Sequence, residues 1–295
     1  MKLENMLEGV VVKRPSKIVK SPYVSDIVLC ENQMEILGHS PSLGCCGLAD
    51  ANAHVLLTPI IEKKTKKTKN SNNDNNDNLE KPKCTYSVCL AIFKDNIRQR
   101  QTIVGIHPRF AEQLFEKALQ NNLLQKLKNC KSYVREKSVF IENHVNSRFD
   151  FYGNDENNIP FYCEVKNVPL SDYEDMEQKE KKKMDFSQRD YDSKVAYFPD
   201  GYRKKKNDPV SPRALKHIQE LTYLKTSSET PLRCLMCYVV QRDDVNRFQI
   251  SIIDSQYRYA VKEAIEKGVE IIVLQVQWNI QGEAYFLSDD LHLVM

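Results

Sequence analysis

Hydrophobic residues in the first hundred positions occur in short, β-branched runs separated by Gly, Pro and Asn. Runs of this length with close turn signals predict short strands, and such strands favour a small antiparallel barrel or sandwich. The predicted strands are GVVV (9–12), YVSDIVLC (23–30), MEILGH (34–39), AHVLLTPII (53–61) and YSVCLAIF (86–93). We therefore predict an all-β domain over residues 1–104.

The pattern changes after about residue 105, where apolar residues recur at helical spacing. Residues 107–128 predict a helix, and a second begins with Ser211 as its N-cap and Pro212 in its first turn. A hairpin, three further strands and a helix that stops at Gly268 complete the pattern (147–168, 232–242, 248–254, 256–268 and 270–278). Alternating strands and helices predict an α/β domain with a mixed sheet over residues 105–295.

One stretch lacks the apolar residues that a packed structure needs. Residues 62–83 consist mainly of Asn, Asp and Lys, so they cannot offset the entropy lost on ordering. We predict a disordered insertion within the first domain.

Composition is that of a globular protein, with 41% hydrophobic and 28% charged residues. No apolar run approaches the ~20 residues of a membrane span, and the N-terminus resembles neither a signal nor a transit peptide. We expect an intracellular protein, in the cytoplasm or nucleus, with no membrane partner.

Nine cysteines in such a chain favour reduced thiols over a disulfide framework. Cys234 and Cys237 match the spacing of a zinc half-site, but a strand places residues i and i+3 on opposite faces. We predict that both are buried thiols.

The net charge of +3 does not by itself indicate a nucleic-acid ligand. Lysine-rich clusters recur at 13–20, 62–69, 179–183 and 202–207, and such clusters can neutralise phosphates. The alternative is that these lysines only keep the protein soluble.

The hairpin at 147–168 carries charges within runs that otherwise indicate buried strands. Strand alternation places Asp150 on one face and Phe149 and Phe151 on the other, while Glu164 and Lys166 share a face of the second strand. Antiparallel pairing would bring Asp150 toward Glu164. Two carboxylates and an ammonium group are thus predicted to meet at one place.

Such a group suits metal-assisted hydrolysis. Neighbouring carboxylates repel unless a cation lies between them, and Mg²⁺ with its waters suits that position. Lys166 could then orient or deprotonate water while the ion stabilises charge on a phosphodiester oxygen. The alternative from the pattern alone is a surface ion pair between Lys166 and one of the two acids.

Several stretches together resemble the sugar fermentation stimulation protein A (SfsA) family, whose second domain looks like a PD-(D/E)xK nuclease core. The matching stretches, in order, are SRFDF (147–151), YCEVKNVPL (162–170), AYFPD (196–200), RALKHIQEL (213–221) and residues 239–271. The resemblance implies an OB-like β-barrel followed by a nuclease-like mixed sheet flanked by helices.

The resemblance also implies roles for single residues. Asp150, Glu164 and Lys166 would be the motif aspartate, second acid and lysine, with Glu136 as a further metal ligand. For Glu136 an exposed glutamate without a role is an equal alternative.

Basic positions of the family pattern lie mainly at the start of the helix predicted at 211–225. Arg213, Lys216 and His217 would meet phosphate there, and Arg148 shares the face of Asp150. For His217 the alternative is a hydrogen-bonded packing residue. Asp200 also matches the family.

The resulting hypothesis is an Mg²⁺- or Mn²⁺-dependent nuclease that acts on DNA or RNA. The alternative is a non-catalytic DNA-binding regulatory protein of the SfsA type, and an interaction protein without a nucleic-acid role is a weaker third. The oligomeric state stays open, with a homodimer as one candidate.

Overall fold

The structure is a computed structural model that describes residues 1–42, 45, 47–60, 84–199 and 208–295. The predicted insertion at 62–83, Asp200 and the basic cluster at 202–207 lie outside these residues.

Within the described residues, helices begin to alternate with strands after residue 105. The helices are α1 (Pro108–Gln120), α2 (Gln178–Lys181), α3 (Pro212–Ser227) and α4 (Ser255–Glu266). The first eight strands are β1 (Leu7–Lys13), β2 (Val24–Leu29), β3 (Glu35–His39), β4 (His54–Pro59), β5 (Tyr86–Asp95), β6 (Arg100–Gly105), β7 (Ser132–Ile141) and β8 (Val145–Asn154). The others are β9 (Pro160–Val168), β10 (Ser171–Asp172), β11 (Lys194–Phe198), β12 (Arg233–Val240), β13 (Val245–Ile250), β14 (Glu270–Trp278), β15 (Ala284–Ser288) and β16 (Leu293–Val294).

The first five strands close on themselves. β1 pairs with β2 and β4, β2 with β3, β4 with β5, and β3 with β5 in parallel, so the ring order is β1-β2-β3-β5-β4. Alternate residues such as Val11, Ile27 and Val55 fill its interior. A Cβ at Gly38 would lie 2.4 Å from the Ile27 side chain, so a larger residue would have to displace this interior packing.

The sheet continues from the ring into the second half of the chain. Its order after β5 is β6-β14-β12-β9-β8-β7, and β10, β11, β13 and β16 form a separate small sheet. β6 pairs with β5 and, through Ile103 and Trp278, with β14. The sheet therefore runs across residues 104 and 105, and the domain boundary placed there stays a prediction.

Helices cover both faces of this sheet. α1 packs on β9 and β12 with one cluster of apolar residues, and α3 packs on β12 and β8 with another that also includes α4. β12 is parallel to both neighbours and is buried on both faces, as its nearly continuous apolar sequence requires. Cys234 lies in the α3-side cluster and Cys237 in the α1-side cluster, which places the two thiols on opposite faces as predicted.

Some boundaries differ from the sequence prediction. α1 ends at Gln120 rather than near 128, because Asn121 caps the helix and Asn122 takes a φ of 58°, which a helix cannot continue through. Strand β7 was not predicted, since nearly all its residues are exposed and give no apolar alternation. All the cysteines that the structure describes are free.

A membrane-crossing helix would need length and low polarity together, and none of the helices in the described ranges combines them.

Candidate metal and nucleic-acid site

The predicted hairpin is present as β8 and β9. The two strands are antiparallel, with Phe151 opposite Cys163 and Tyr152 opposite Tyr162. Beyond these pairs the strands separate, and Oδ2 of Asp150 accepts a hydrogen bond of 2.7 Å from the backbone N–H of Val165. A carboxylate thus replaces a ladder hydrogen bond where the strands diverge.

The side-chain alternation predicted for β8 is broken at Asp150. Phe151 packs in the α1-side cluster with Phe115, whereas Phe149 packs in the α3-side cluster near His217. The prediction that both phenylalanines share one face was therefore wrong. The cause is a local irregularity, since Asp150 does not pair regularly and the facing residue of β7, Glu136, has a φ of 58°.

Glu164, Lys166 and His217 form a tight, buried triangle on the α3 side of the sheet. Oε1 of Glu164 accepts hydrogen bonds from Nζ of Lys166 and contacts Nδ1 of His217, and those two nitrogens lie 3.3 Å apart. Glu164 is 2% exposed and His217 is 3% exposed. Side-chain alternation on β9 places Glu164 and Lys166 on one face, and α3 supplies the histidine.

The second oxygen of Glu164 has no such partner. Oε2 is buried and receives no hydrogen bond, although an unpaired buried acceptor costs about 1–3 kcal/mol. Burial opposes ionisation of Glu164, but Lys166 and His217 outweigh it and hold the pKa of this carboxyl below its ordinary value. Glu164 is therefore a carboxylate with one unused oxygen.

Asp150 has the opposite electrostatic character. Burial, reinforced by the charge of Glu164, raises the pKa of Asp150 from 3.8 to about 7, although Lys166 and the Val165 N–H act the other way. Glu112 of α1 adds to this rise. Burial and the charge of Glu164 therefore favour the protonated form of Asp150, whereas Glu164 is held in its ionised form.

The sequence reasoning missed Glu112. Its carboxylate accepts a hydrogen bond of 2.6 Å from the guanidinium of Arg135 on β7, and α1 packs against β9. A usable signal was its position beside the buried Phe110 and Ala111, which places it at the edge of the helix face that meets the sheet.

Glu136 and Arg148 lie together at the surface. Arg148 Nη1 is 3.2 Å from Glu136 Oε2, and their side chains are 60% and 55% exposed. The structure brings them to each other and does not bring either side chain into contact with Glu164. A metal role for Glu136 and a nucleic-acid role for Arg148 stay predictions.

The basic residues of α3 divide into two groups. Arg213 is exposed in the first turn, after Ser211, whose side chain caps the helix as predicted. Lys216 is also exposed, and its Nζ donates a hydrogen bond of 2.6 Å to the carbonyl oxygen of Asn146. His217 instead points inward to Glu164. Phosphate contacts by these three residues stay predictions.

The donor set at Asp150 and Glu164 fits a hard divalent ion. It offers two carboxylates and a buried oxygen without a partner, and Mg²⁺ typically takes one or two carboxylates and keeps several waters. Within the described ranges, the group of three metal-binding side chains whose donor atoms all lie within 4.8 Å of one another is elsewhere, at Glu8, Cys30 and His54.

A family model described as "Sugar fermentation stimulation protein RE domain" matches residues 109–282, which is more than half of the chain. The chain is 29% identical over 202 residues to the sugar fermentation stimulation protein homolog of Bartonella henselae, covering 68% of this chain and 70% of the relative. It is 25% identical over 280 residues to the homolog of Pseudoalteromonas atlantica, covering 94% and 93%. These relatives are bacterial and give no support to a nuclear location.

Among solved structures, the fold is similar to that of Pyrococcus furiosus SfsA, described as a complex with Ca²⁺. The TM-score is 0.69 at 18% sequence identity, and the match covers 100% of this chain and 98% of the other. This likeness shows a shared mixed α/β fold over the whole chain.

Proposed function

The chain belongs to the SfsA family, as the sequence resemblance predicted, and from this premise we propose that it is a nucleic-acid-binding protein that hydrolyses phosphodiester bonds with Mg²⁺ or Mn²⁺. The observation that carries the proposal is the unpartnered, buried Oε2 of Glu164 beside the unusually basic carboxylate of Asp150. A bound cation would give Oε2 a partner and would offset the burial and the Glu164 charge that together raise the pKa of Asp150.

The architecture is part of the same proposal. We assign the ring β1-β2-β3-β5-β4 to an OB-type barrel and the sheet from β14 to β7 to a nuclease-like domain. Support comes from the parallel closure of β3 on β5 and from the placement of Glu164 and Lys166 on a central strand.

Asp150 and Glu164 would hold the ion. When bound, Mg²⁺ or Mn²⁺ would supply positive charge that stabilises a phosphodiester oxygen in the transition state. Val165 fixes the orientation of Asp150 through its backbone N–H, so the carboxylate is positioned before any ligand arrives.

Lys166 and His217 would have separate roles. Lys166 is 12% exposed at its side chain, so its ammonium group can reach a ligand while it stays paired with Glu164. It would orient water or a phosphate oxygen at the reacting centre. His217 is more buried and would act as a positioning residue that holds Glu164.

The partner in this proposal is DNA or RNA. Arg213 and Lys216 project from the exposed side of α3, one turn from the site, where they can contact the phosphate backbone. The N-terminal turn of α3 adds backbone N–H groups that favour anions.

The central experiment compares purified wild-type protein and a Lys166→Met variant. Labelled single- and double-stranded DNA and RNA are incubated with Mg²⁺, Mn²⁺ or a chelator. We expect metal-dependent cleavage by the wild type and a loss of at least ~100-fold in the variant. Lys262→Ala, an exposed lysine on α4, is the matched control and should cleave normally. Cleavage by Lys166→Met at the wild-type rate, or no cleavage of any substrate by the wild type, would contradict the proposal.

A non-catalytic DNA-binding regulatory protein is the second candidate. It is favoured by the closed contact of Glu164 with both Lys166 and His217, which satisfies one carboxylate oxygen without any ligand. This candidate predicts salt-dependent binding without strand scission. Arg213→Ala should then lower the salt slope of binding by about one unit.

A further inference from the structure

A second group of metal-binding side chains lies on the first five strands. Glu8 belongs to β1 and His54 to β4, and Cys30 directly follows β2; these strands are neighbours in the ring. The thiol, the imidazole and the carboxylate come from positions far apart in sequence, and only strand pairing brings them together.

Strand register explains why they converge. The backbone N–H of Cys30 donates to the carbonyl oxygen of Glu8 at 2.9 Å, so these residues are direct neighbours across the β1–β2 pair. On the other side of β1, His54 pairs with Val10, two residues from Glu8, which makes it a diagonal neighbour. Alternation places all three side chains on one face of the sheet.

That face points away from the interior of the ring. The adjacent residues Gly9, Leu29 and Val55 are buried, and the latter two belong to the apolar cluster that fills the ring. Cys30 is exposed, while Glu8 and His54 are partly exposed. An ion from solvent can therefore reach the group.

The distances among the three donor atoms are close to those among the ligands of a bound ion. The three donor atoms lie within 4.8 Å of one another, and Nδ1 of His54 is 3.1 Å from Oε1 of Glu8. Zinc bonds of about 2.0–2.3 Å place tetrahedral ligands ~3.5 Å apart. Small side-chain rotations would close the difference, since Glu8 and His54 are held by strand pairing and Cys30 by its backbone hydrogen bond to Glu8.

Ligand type decides which ion this group would take. Thiolate and imidazole favour Zn²⁺ and similar borderline ions, whereas the carboxylates of Asp150 and Glu164 suit a hard ion such as Mg²⁺. Three protein ligands leave the fourth tetrahedral position to water or to an external group.

We propose that Glu8, Cys30 and His54 form a transition-metal site that binds Zn²⁺, separate from the site at Asp150 and Glu164. The bound ion would join β1, β2 and β4 on the outer face of the ring and present an open coordination position to solvent. This site does not depend on the proposed nuclease activity.

Cobalt substitution tests the site directly. Full-length protein is freed of metal with a chelator, kept reduced and titrated with Co²⁺ while thiolate-to-cobalt charge-transfer absorbance is recorded in the near ultraviolet. We expect one equivalent of Co²⁺ to produce this band and Zn²⁺ to remove it by displacement. Absence of the band in the wild type would overturn the proposal.

Three variants identify the ligands. Cys30→Ser should lose the charge-transfer band, and His54→Gln should lower the affinity for Zn²⁺ by more than ~100-fold. Cys130→Ser removes another partly accessible thiol and serves as the matched control that keeps the band. A band that persists in Cys30→Ser would come from another thiol and would refute the site. Circular dichroism checks that each variant is folded.

A final variant separates the two metal sites. Glu164→Gln changes the hard-ion site alone, so its Co²⁺ titration should keep the charge-transfer band with one equivalent. Loss of the band in this variant would show that the thiolate signal arises near β9 and would contradict the assignment to Cys30.

Discussion

Two buried ionic clusters lie along the neighbouring strands β9 and β12, and they are built in opposite ways. The site cluster contains Asp150, Glu164, Lys166 and His217, with Glu164 and Lys166 on β9. The second, here called the Arg242 cluster, contains Arg242, Asp244 and Lys194, just beyond the end of β12.

Every buried side-chain nitrogen and oxygen of the Arg242 cluster has a partner within the protein. Both Asp244 oxygens accept from the Arg242 guanidinium, at 2.6 and 2.8 Å, and Nη1 of Arg242 donates to the carbonyl oxygen of Pro169. Lys194 donates to Asp244 and to the carbonyl oxygen of Tyr191. Two cations share one anion, and burial is outweighed by their charges, which lower the pKa of Asp244.

The site cluster is not satisfied in the same way. Glu164 keeps a buried oxygen without a partner, and Asp150 has a pKa raised to about 7. The difference between the two clusters lies in whether each buried polar atom has a hydrogen-bond partner within the protein. The Arg242 cluster, in which each buried polar atom has a partner, stabilises the structure, whereas under the proposed function the unpartnered oxygen of the site cluster would take a metal ion.

Asp244→Asn should give the largest change. It removes the anion between two buried cations, and breaking such a cluster costs about 3–5 kcal/mol of unfolding free energy. Urea denaturation measures the loss. Asp192→Asn is the control, because the Asp192–Arg100 pair is exposed and should contribute no more than about 1 kcal/mol. Equal effects of the two substitutions would remove the distinction between the clusters.

Divalent metal should stabilise the site cluster by a somewhat smaller amount. At 100 times its dissociation constant, Mg²⁺ should add about 2.7 kcal/mol to the unfolding free energy. The rise in Tm should be larger at pH 8 than at pH 6, because a proton on Asp150 competes with the ion below its pKa of about 7. Thermal unfolding of the wild type and of Glu164→Gln, with and without Mg²⁺ at both pH values, measures the rise in Tm. An equal Tm rise in both proteins would place the stabilising ion elsewhere.

Asp150→Asn should stabilise the metal-free protein at high pH. The carboxyl has a pKa of about 7 in the folded protein and an ordinary pKa of 3.8. Its contribution to the free energy of unfolding is therefore fully present below pH 3.8 and is lost as the pH rises through about 7. The variant lacks this loss and should gain on the order of 1–3 kcal/mol over wild type at pH 8, after allowance for solvent screening.

Chemical denaturation at pH 4 and pH 8 provides the comparison for Asp150→Asn. The difference between variant and wild type should be small at pH 4 and reach its full size above pH 7. A variant that is less stable than wild type at pH 8 without metal would show that the hydrogen bond to Val165 dominates.

Glu136→Gln should have the smallest effect. Its ion pair with Arg148 is exposed on an edge strand, so its loss should change the unfolding free energy by less than about 1 kcal/mol. The same variant tests the metal hypothesis for Glu136, since unchanged Mg²⁺ stabilisation would remove this residue from the ligand set. A fall in Mg²⁺ affinity would add it.

Much of the architecture could be predicted from the order of apolar and polar residues. Short β-branched runs between turn signals identified the strands β1 to β5, and the capping signals Ser211 and Pro212 located the start of α3. Strand alternation assigned Glu164 and Lys166 to one face of β9 and buried Cys234 and Cys237 on opposite faces. These features follow from local periodicity, which the chain carries in any fold.

Other features were decided only by the tertiary structure. Phe149 and Phe151 lie on opposite faces of the sheet because the Asp150 carboxylate accepts a hydrogen bond from the Val165 N–H, which is a contact between two strands. The burial of His217 against Glu164, the approach of Glu112 to Asp150 and the meeting of Cys30 with His54 join residues that are distant in sequence. Sequence periodicity fixes which face of a strand or helix a residue occupies, but the residue it meets depends on strand register and helix packing, which are properties of the whole fold.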